Sequence, residues 1–299
     1  IIYAGVRNGI ERVSKFMMPI LIVLSVLIAV YSVTRPGAME GVKYFLVPNV
    51  KNFSWMTVVA AMGQMFYSLS IAMGILITFG SYMKKETSLE DSTRNVEVFD
   101  TAIAIMAGLM IIPAVFAFSG GDPDTLQAGP ALMFITIPKV FENMGFGTVV
   151  GILFFLLVLF AAVTSSIALT ESAVSTFEDE LGWSRRRATV LVGVIMIALG
   201  SLSSLGYGPL VGIKIIGMQF LDFFDFLTNS VMMPIAAMLT SLFVSRIVGM
   251  KRMEEEIMHG ESTFRRKKIF IVMIKYLCPV FALIILISSV ANAFGWIAM

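Results

Sequence analysis

The stretch LFAAVTSSIALTESAVSTFEDE, residues 159–180, decides how the rest of the chain is read. Its first half has the apolar character of a membrane helix. Thr164, Ser165 and Ser166 then set hydroxyls into the run beside the small Ala161, and Glu171 follows within two turns. Polar groups inside a membrane span cost free energy unless they are paired, so a row of oxygens there marks function by default. Ala161 and Ser165 are four apart and Thr164 is three from Ala161, which puts all three on one helical face. Sodium is a hard cation bound by oxygen ligands, carbonyls and hydroxyls among them. The patch is therefore a candidate cation site, provided the Ala161 carbonyl is freed from the helix. A second reading stands beside it, in which the hydroxyls bond back to the preceding turn.

The composition names the solvent. With 58% hydrophobic and 14% charged residues, the chain is far more apolar than a water-soluble domain, in which about 25% of residues are charged. It is expected to be an all-α membrane protein. A net charge of +2 and the absence of any nucleic-acid-binding motif exclude DNA and RNA as partners. The one cysteine, Cys278, cannot form an internal disulfide and reads as packing in an apolar helix.

A membrane-crossing helix needs about 20 mainly apolar residues. Seven stretches qualify: 13–34, 55–83, 96–118, 147–177, 188–204, 215–245 and 269–293. Some exceed the minimum enough to predict tilted, kinked or broken helices. Lysine and arginine in the connections alternate sharply, sixteen on one side against five on the other. By the positive-inside rule the N-terminal end lies in the cytoplasm and the C-terminal end outside, in a multi-pass protein of the cell inner (plasma) membrane. The opening IIYAGVRNGIERVSKFMMP has neither an initiator methionine nor a signal peptide and reads as the continuation of a longer protein. The segment Arg246–Lys268, with its mixed KRMEEE and RRKK runs, reads as a solvated loop.

Two further stretches carry chemistry. In GQMFYSLSIAMG, residues 63–74, Gln64 and Ser68 share a face. Ala72 and Gly74 bracket Met73 where a helix can unwind, and unwound backbone at membrane depth is tolerated only where it lines a cavity or is buried in protein. The competing reading makes Gly63, Ser68, Ser70 and Gly74 a small-residue packing face. In VEVFDTAIAIMAG, residues 96–108, Asp100 sits one turn beyond Glu97, either at the interface or pointing inward as a negative charge beside a bound cation. The only histidine, His259, stands in EEEIMHGES with no nucleophile or metal-ligand cluster near it in sequence, which argues against an enzyme.

Taken in order, GVRNGIERVSKFMMP, GQMFYSLS, SYMKKE, FAAVTSSIA and EDELGWSRR resemble the neurotransmitter:sodium symporter family, specifically its bacterial amino-acid transporters. The resemblance covers essentially all 299 residues. It implies a LeuT-like inverted-repeat transporter fold, of which this single transmembrane domain, 1–299, holds the fifth to eleventh helices. The last helix of the first repeat would be 13–34, the second repeat 55–245, and an extra helix 269–293. The first four helices of the same transporter are then the chain's expected partners, together with the lipid bilayer.

The resemblance also assigns residues. Ala161, Thr164 and Ser165 fall at the second sodium site, and Ser68 and Asp100 at the first. Tyr67, Ser68, Ser70, Met73, Ser166 and Leu169 would contact the substrate. Tyr67 and Asp225, in LDFFDFL, would belong to the outer gate. Gln64, Ser68 and Asp100 take the places around a chloride site found in animal members. Asp100 stands where many relatives have asparagine, and its carboxylate could replace that anion, so chloride-independent transport is expected. Ala72 replaces a glycine common at the unwound break. The implied function is sodium-coupled symport of a small, apolar amino acid by alternating access, with Na+ as coupling ion and no covalent chemistry. The alternative is an ion channel or a non-transporting membrane subunit.

Overall fold

The computed structural model describes residues 1–121, 129–260 and 263–296. Its principal helices, in chain order, are α1 (Gly9–Val33), α2 (Ala38–Leu46), α3 (Trp55–Ser68), α4 (Ile75–Ser81), α5 (Leu89–Ser119), α6 (Ile137–Glu142), α7 (Gly147–Leu181), α8 (Arg185–Leu205), α9 (Phe220–Val248), α10 (Met250–Ile257) and α11 (Lys267–Ala293). Six of them, α1, α5, α7, α8, α9 and α11, are long and apolar enough to cross a membrane. Without water to satisfy backbone groups, a helix is the way a single segment pairs all of its own amides. Only 11% of the most apolar window of α11 is buried; its apolarity exceeds what packing in this chain uses and fits a lipid surround. The chain is an all-helical, multi-pass membrane protein.

The remaining apolar stretch, 55–83, is not one helix. It is divided into α3 and α4 by an unwound segment. The stretch expected to begin at 215 becomes helical only at Phe220, because Ile215 and Met218 exchange backbone bonds of 2.8 and 3.0 Å. Ile216 (φ 52°) and Gly217 (φ 80°) make the tight turn between them, which needs positive φ at both central positions.

Among the described residues the backbone widens into π-type turns at five places, and three of them, Leu132–Thr136, Phe226–Met232 and Met273–Leu277, share a cause. Each ends two residues before a proline, Pro138, Pro234 or Pro279. Proline has no N–H and its ring clashes with the carbonyl a turn earlier, so the ladder is displaced there. At Ile274 the carbonyl five residues before Pro279 accepts Ser241 Oγ instead, at 2.5 Å. One polar side chain of α9 thus repairs the backbone deficit of α11.

The chain forms two compact units. The first, Ile1–Phe53 with Glu97–Ile167, has a core of Leu24, Ile28, Met110, Ala114, Val115, Ile137, Val140, Phe141, Phe154 and Leu157. Gly41 of α2 lies so near α5 that a Cβ would stand 2.8 Å from the Pro113 Cα. The Tyr31 phenol donates to the Gly145 carbonyl and carries the Arg35 guanidinium 4.3 Å above its ring. The second unit, Ser54–Val96 with Ala168–Met299, contains α3, α4, the later part of α7, and α8 to α11. The segment between α9 and α11 is more structured than the sequence suggests. It forms α10, Lys267 pairs with Glu254, and Glu90 Oε2 accepts the Arg265 amide at 3.2 Å.

Candidate functional site

The interrupted helix starts cleanly. Ser54 caps α3 reciprocally with Thr57, each side chain bonding the other's backbone amide at 3.3 Å, an arrangement that satisfies two orphan donors. It ends by tightening, with Ser70 N–H on the Tyr67 carbonyl at 3.0 Å and Ile71 N–H on Phe66 at 3.1 Å. Ser70, Ala72 and Gly74 then take φ of 55°, 63° and 79°, so every second residue has positive φ and no helix can continue. Ala72 adopts this conformation although it carries a Cβ, at a cost of about 1–2 kcal/mol. An unwound segment of this kind leaves carbonyls at the end of one helix and amides at the start of the next without ladder partners.

Around the end of α3 a cavity of about 400 Å³ is lined by Gln64, Tyr67, Asp225, Asn229, Ser230 and Ser289 among others. The structure thus brings together both residues assigned to the outer gate, Tyr67 and Asp225, with Gln64. Asn229 Nδ2 donates to Asp225 Oδ1 at 2.6 Å, one turn further along α9. Ser70, Ala72 and Gly74 contribute to a separate, apolar cavity of about 300 Å³ with Met65, Ile71, Thr240, Ser241 and Cys278. Ser68 closes α3 and is half-buried, as is Met73; neither belongs to these two walls among the described residues.

On α7 the helix runs unbroken through Ala161. Thr164 Oγ1 donates to the carbonyls of Phe160 (3.0 Å) and Ala161 (2.9 Å), which is the back-bonding habit of membrane hydroxyls. A hydroxyl has one hydrogen and two lone pairs, so this bond leaves the Thr164 oxygen able to accept a cation. Ser165, Ser166 and Leu169 are exposed. Asp100 lies half-buried on α5, in the first unit, with exposed Glu97 one turn before it and exposed Ala104 one turn after.

Glu171, the charge that made the opening stretch unusual, is fully buried. Arg185, at the start of α8, grips it with both guanidinium nitrogens, Nη2 to Oε2 at 2.5 Å and Nη1 to Oε1 at 3.1 Å, and reaches Glu178 at 3.1 Å. Tyr82, just past α4, donates its phenol to Glu171 Oε1 at 2.8 Å. Thr78 of α4 touches the hydroxyls of Ser172 (3.4 Å) and Ser175 (3.3 Å).

Residues 1–295 match the model of the sodium:neurotransmitter symporter family. The chain belongs to that family. An uncharacterized sodium-dependent transporter of Bacillus subtilis is 35% identical to this chain over 262 residues, 88% of the chain and 57% of the relative. One from Haemophilus influenzae is 33% identical over 290 residues, covering 97% and 62%. Among solved structures, that of MhsT in complex with L-phenylalanine is similar with a TM-score of 0.82 and 36% identity, over 97% of this chain and 65% of that one. The fold is accordingly the LeuT-like transporter fold. The chain spans about 57–65% of the length of these relatives.

Arg185 and Tyr82 have no assigned task in the sequence, although both stand in motifs that carry the family resemblance. A signal was present: a carboxylate inside an apolar helix demands a cation, and α7 is followed directly by Arg185, Arg186 and Arg187. Asn229, four residues after Asp225 on the same helix, was equally readable by helical spacing.

Proposed function

We propose that the full-length protein is a sodium-coupled symporter that imports a small, apolar amino acid by alternating access. The observation that carries this reading is the interruption at Ser70–Gly74, in a stretch otherwise apolar enough to span the membrane. Transporters of inverted-repeat architecture build substrate and ion sites on discontinuous helices. Membership of a sodium symporter family supports the coupling ion, and a solved relative in complex with L-phenylalanine supports an apolar amino acid.

In this reading the Thr164 and Ser165 hydroxyls, with the Ala161 carbonyl once it is released from the α7 ladder, ligate one sodium, and Ser68 and Asp100 a second. Tyr67, Ser68, Ser70, Met73, Ser166 and Leu169 contact the substrate, while Tyr67 and Asp225 close over it. The cations offset the substrate carboxylate, which favours their binding together; each net charge moved inward then gains about 2.3 kcal/mol at 100 mV. Asp100 supplies the anion that would otherwise have to be chloride. The N-terminal end faces the cytoplasm across the cell inner membrane, following the sixteen-to-five distribution of basic residues. The helices that precede this segment in the family supply the remaining ligands.

The test is uptake of tritium-labelled L-alanine, L-leucine and L-phenylalanine by proteoliposomes of the full-length protein. The expected result is accumulation against a gradient with sodium outside, and none when potassium replaces sodium. Equal uptake in both salts, or ion conductance without amino-acid uptake, would overturn the reading in favour of a channel or a non-transporting subunit.

A further inference from the structure

The left-handed residues at Ser70 and Ala72 are strained, and such a backbone persists only where its surroundings over-determine it. The structure offers one set of contacts that does so. Gly74, Thr78 and Tyr82 recur every four residues and present one face to α7. Gly74 sits so close to Ser172 that a Cβ would stand 2.5 Å from its Oγ. Thr78 fixes the register one turn on, its amide on the Gly74 carbonyl at 2.9 Å and its Oγ1 against Ser172 and Ser175. Ser175 is tied in turn to the Ser172 carbonyl at 3.1 Å. Thr78, Ser172 and Ser175 are all buried.

We infer that Thr78 and Ser172 are positioning residues for the substrate site: by fastening α4 to α7 they hold the segment Leu69–Gly74 unwound, although neither is assigned a contact with substrate or sodium. This rests on the amino-acid symport reading. The physical link is population. If loosening the fastening lets the unwound form relax, only a fraction of molecules remains competent to bind, and the apparent affinity falls by that fraction. The hydroxyl contacts are long and individually weak, so the effect is additive rather than absolute. Losing both should raise KM roughly five- to tenfold.

The experiment compares the wild type, Thr78→Val with Ser172→Ala, and Thr78→Ser in the full-length protein, measuring sodium-driven uptake of L-leucine and thermal stability. The expected result is a raised KM with kcat changed by less than about twofold in the double variant, and near-wild-type KM in Thr78→Ser, which keeps the hydroxyl. Loss of thermal stability with KM unchanged, or a Thr78→Ser variant as impaired as the double one, overturns the assignment. If the double variant does not fold, Thr78→Val alone is measured in its place, and an unchanged KM there has the same force. A wild type that takes up no amino acid in a sodium-dependent way defeats the symport reading itself, and with it this inference.

Discussion

Removing Arg185 should be the most damaging single change away from the substrate site. In Arg185→Met the Glu171 carboxylate, fully buried in the native structure, keeps the Tyr82 phenol but loses both guanidinium bonds, at 2.5 and 3.1 Å. Stripping one partner from a buried pair leaves an uncompensated charge and costs about 3–5 kcal/mol. At about 2–4 °C per kcal/mol this lowers the melting temperature by roughly 6–20 °C. Replacing both partners by apolar residues of similar size removes the stranded charge, so Glu171→Leu with Arg185→Met should recover most of the loss. Glu178→Ala is the internal control: that carboxylate is 27% exposed and shares Arg185 with Glu171, so its loss should cost at most about 1 kcal/mol. The assay is thermal unfolding of the purified full-length protein in detergent, followed by size-exclusion chromatography after heating. An Arg185→Met variant within about 2 °C of wild type, or a double variant less stable than the single one, would refute the reasoning.

Four further outcomes follow from the proposed sites. Replacing Thr164 and Ser165 by alanine should raise the sodium concentration needed for half-maximal uptake at least several-fold while folding is retained; unchanged sodium dependence returns the pair to back-bonding alone. Met73→Phe should depress uptake of bulky apolar amino acids more than of L-alanine, since a packed cavity resists added volume by about 1–3 kcal/mol, and a uniform loss across substrates would count against a pocket role. The wild type should transport with gluconate in place of chloride, because an anion beside the Asp100 carboxylate would be repelled by several kcal/mol at the effective dielectric of a partly buried site. Asp100→Asn should weaken sodium binding, and adding Ala104→Ser should restore uptake in a chloride-dependent manner.

The sequence by itself determined the solvent, the apolar stretches that become membrane-length helices, and the place where 55–83 can unwind, because these follow from local composition. Apolar length and the small residues between Ser70 and Gly74 act over a few positions, within reach of the backbone's own hydrogen bonds. The family was legible for the same reason, since its motifs are short and lie in order. Tertiary structure alone decided what the polar side chains do. Glu171 was visibly misplaced in an apolar helix, yet its phenol partner lies 89 residues earlier, and no periodicity connects positions so far apart. That Asp225 shares a cavity with Gln64 and Tyr67 depends on how α9 lies against α3. The glycine at Gly74 could be read as a hinge, but its second reason, the Ser172 hydroxyl where a Cβ would stand, exists only once α4 is packed against α7. A buried polar group must find its partner or remain costly, and which partner it finds is settled by packing.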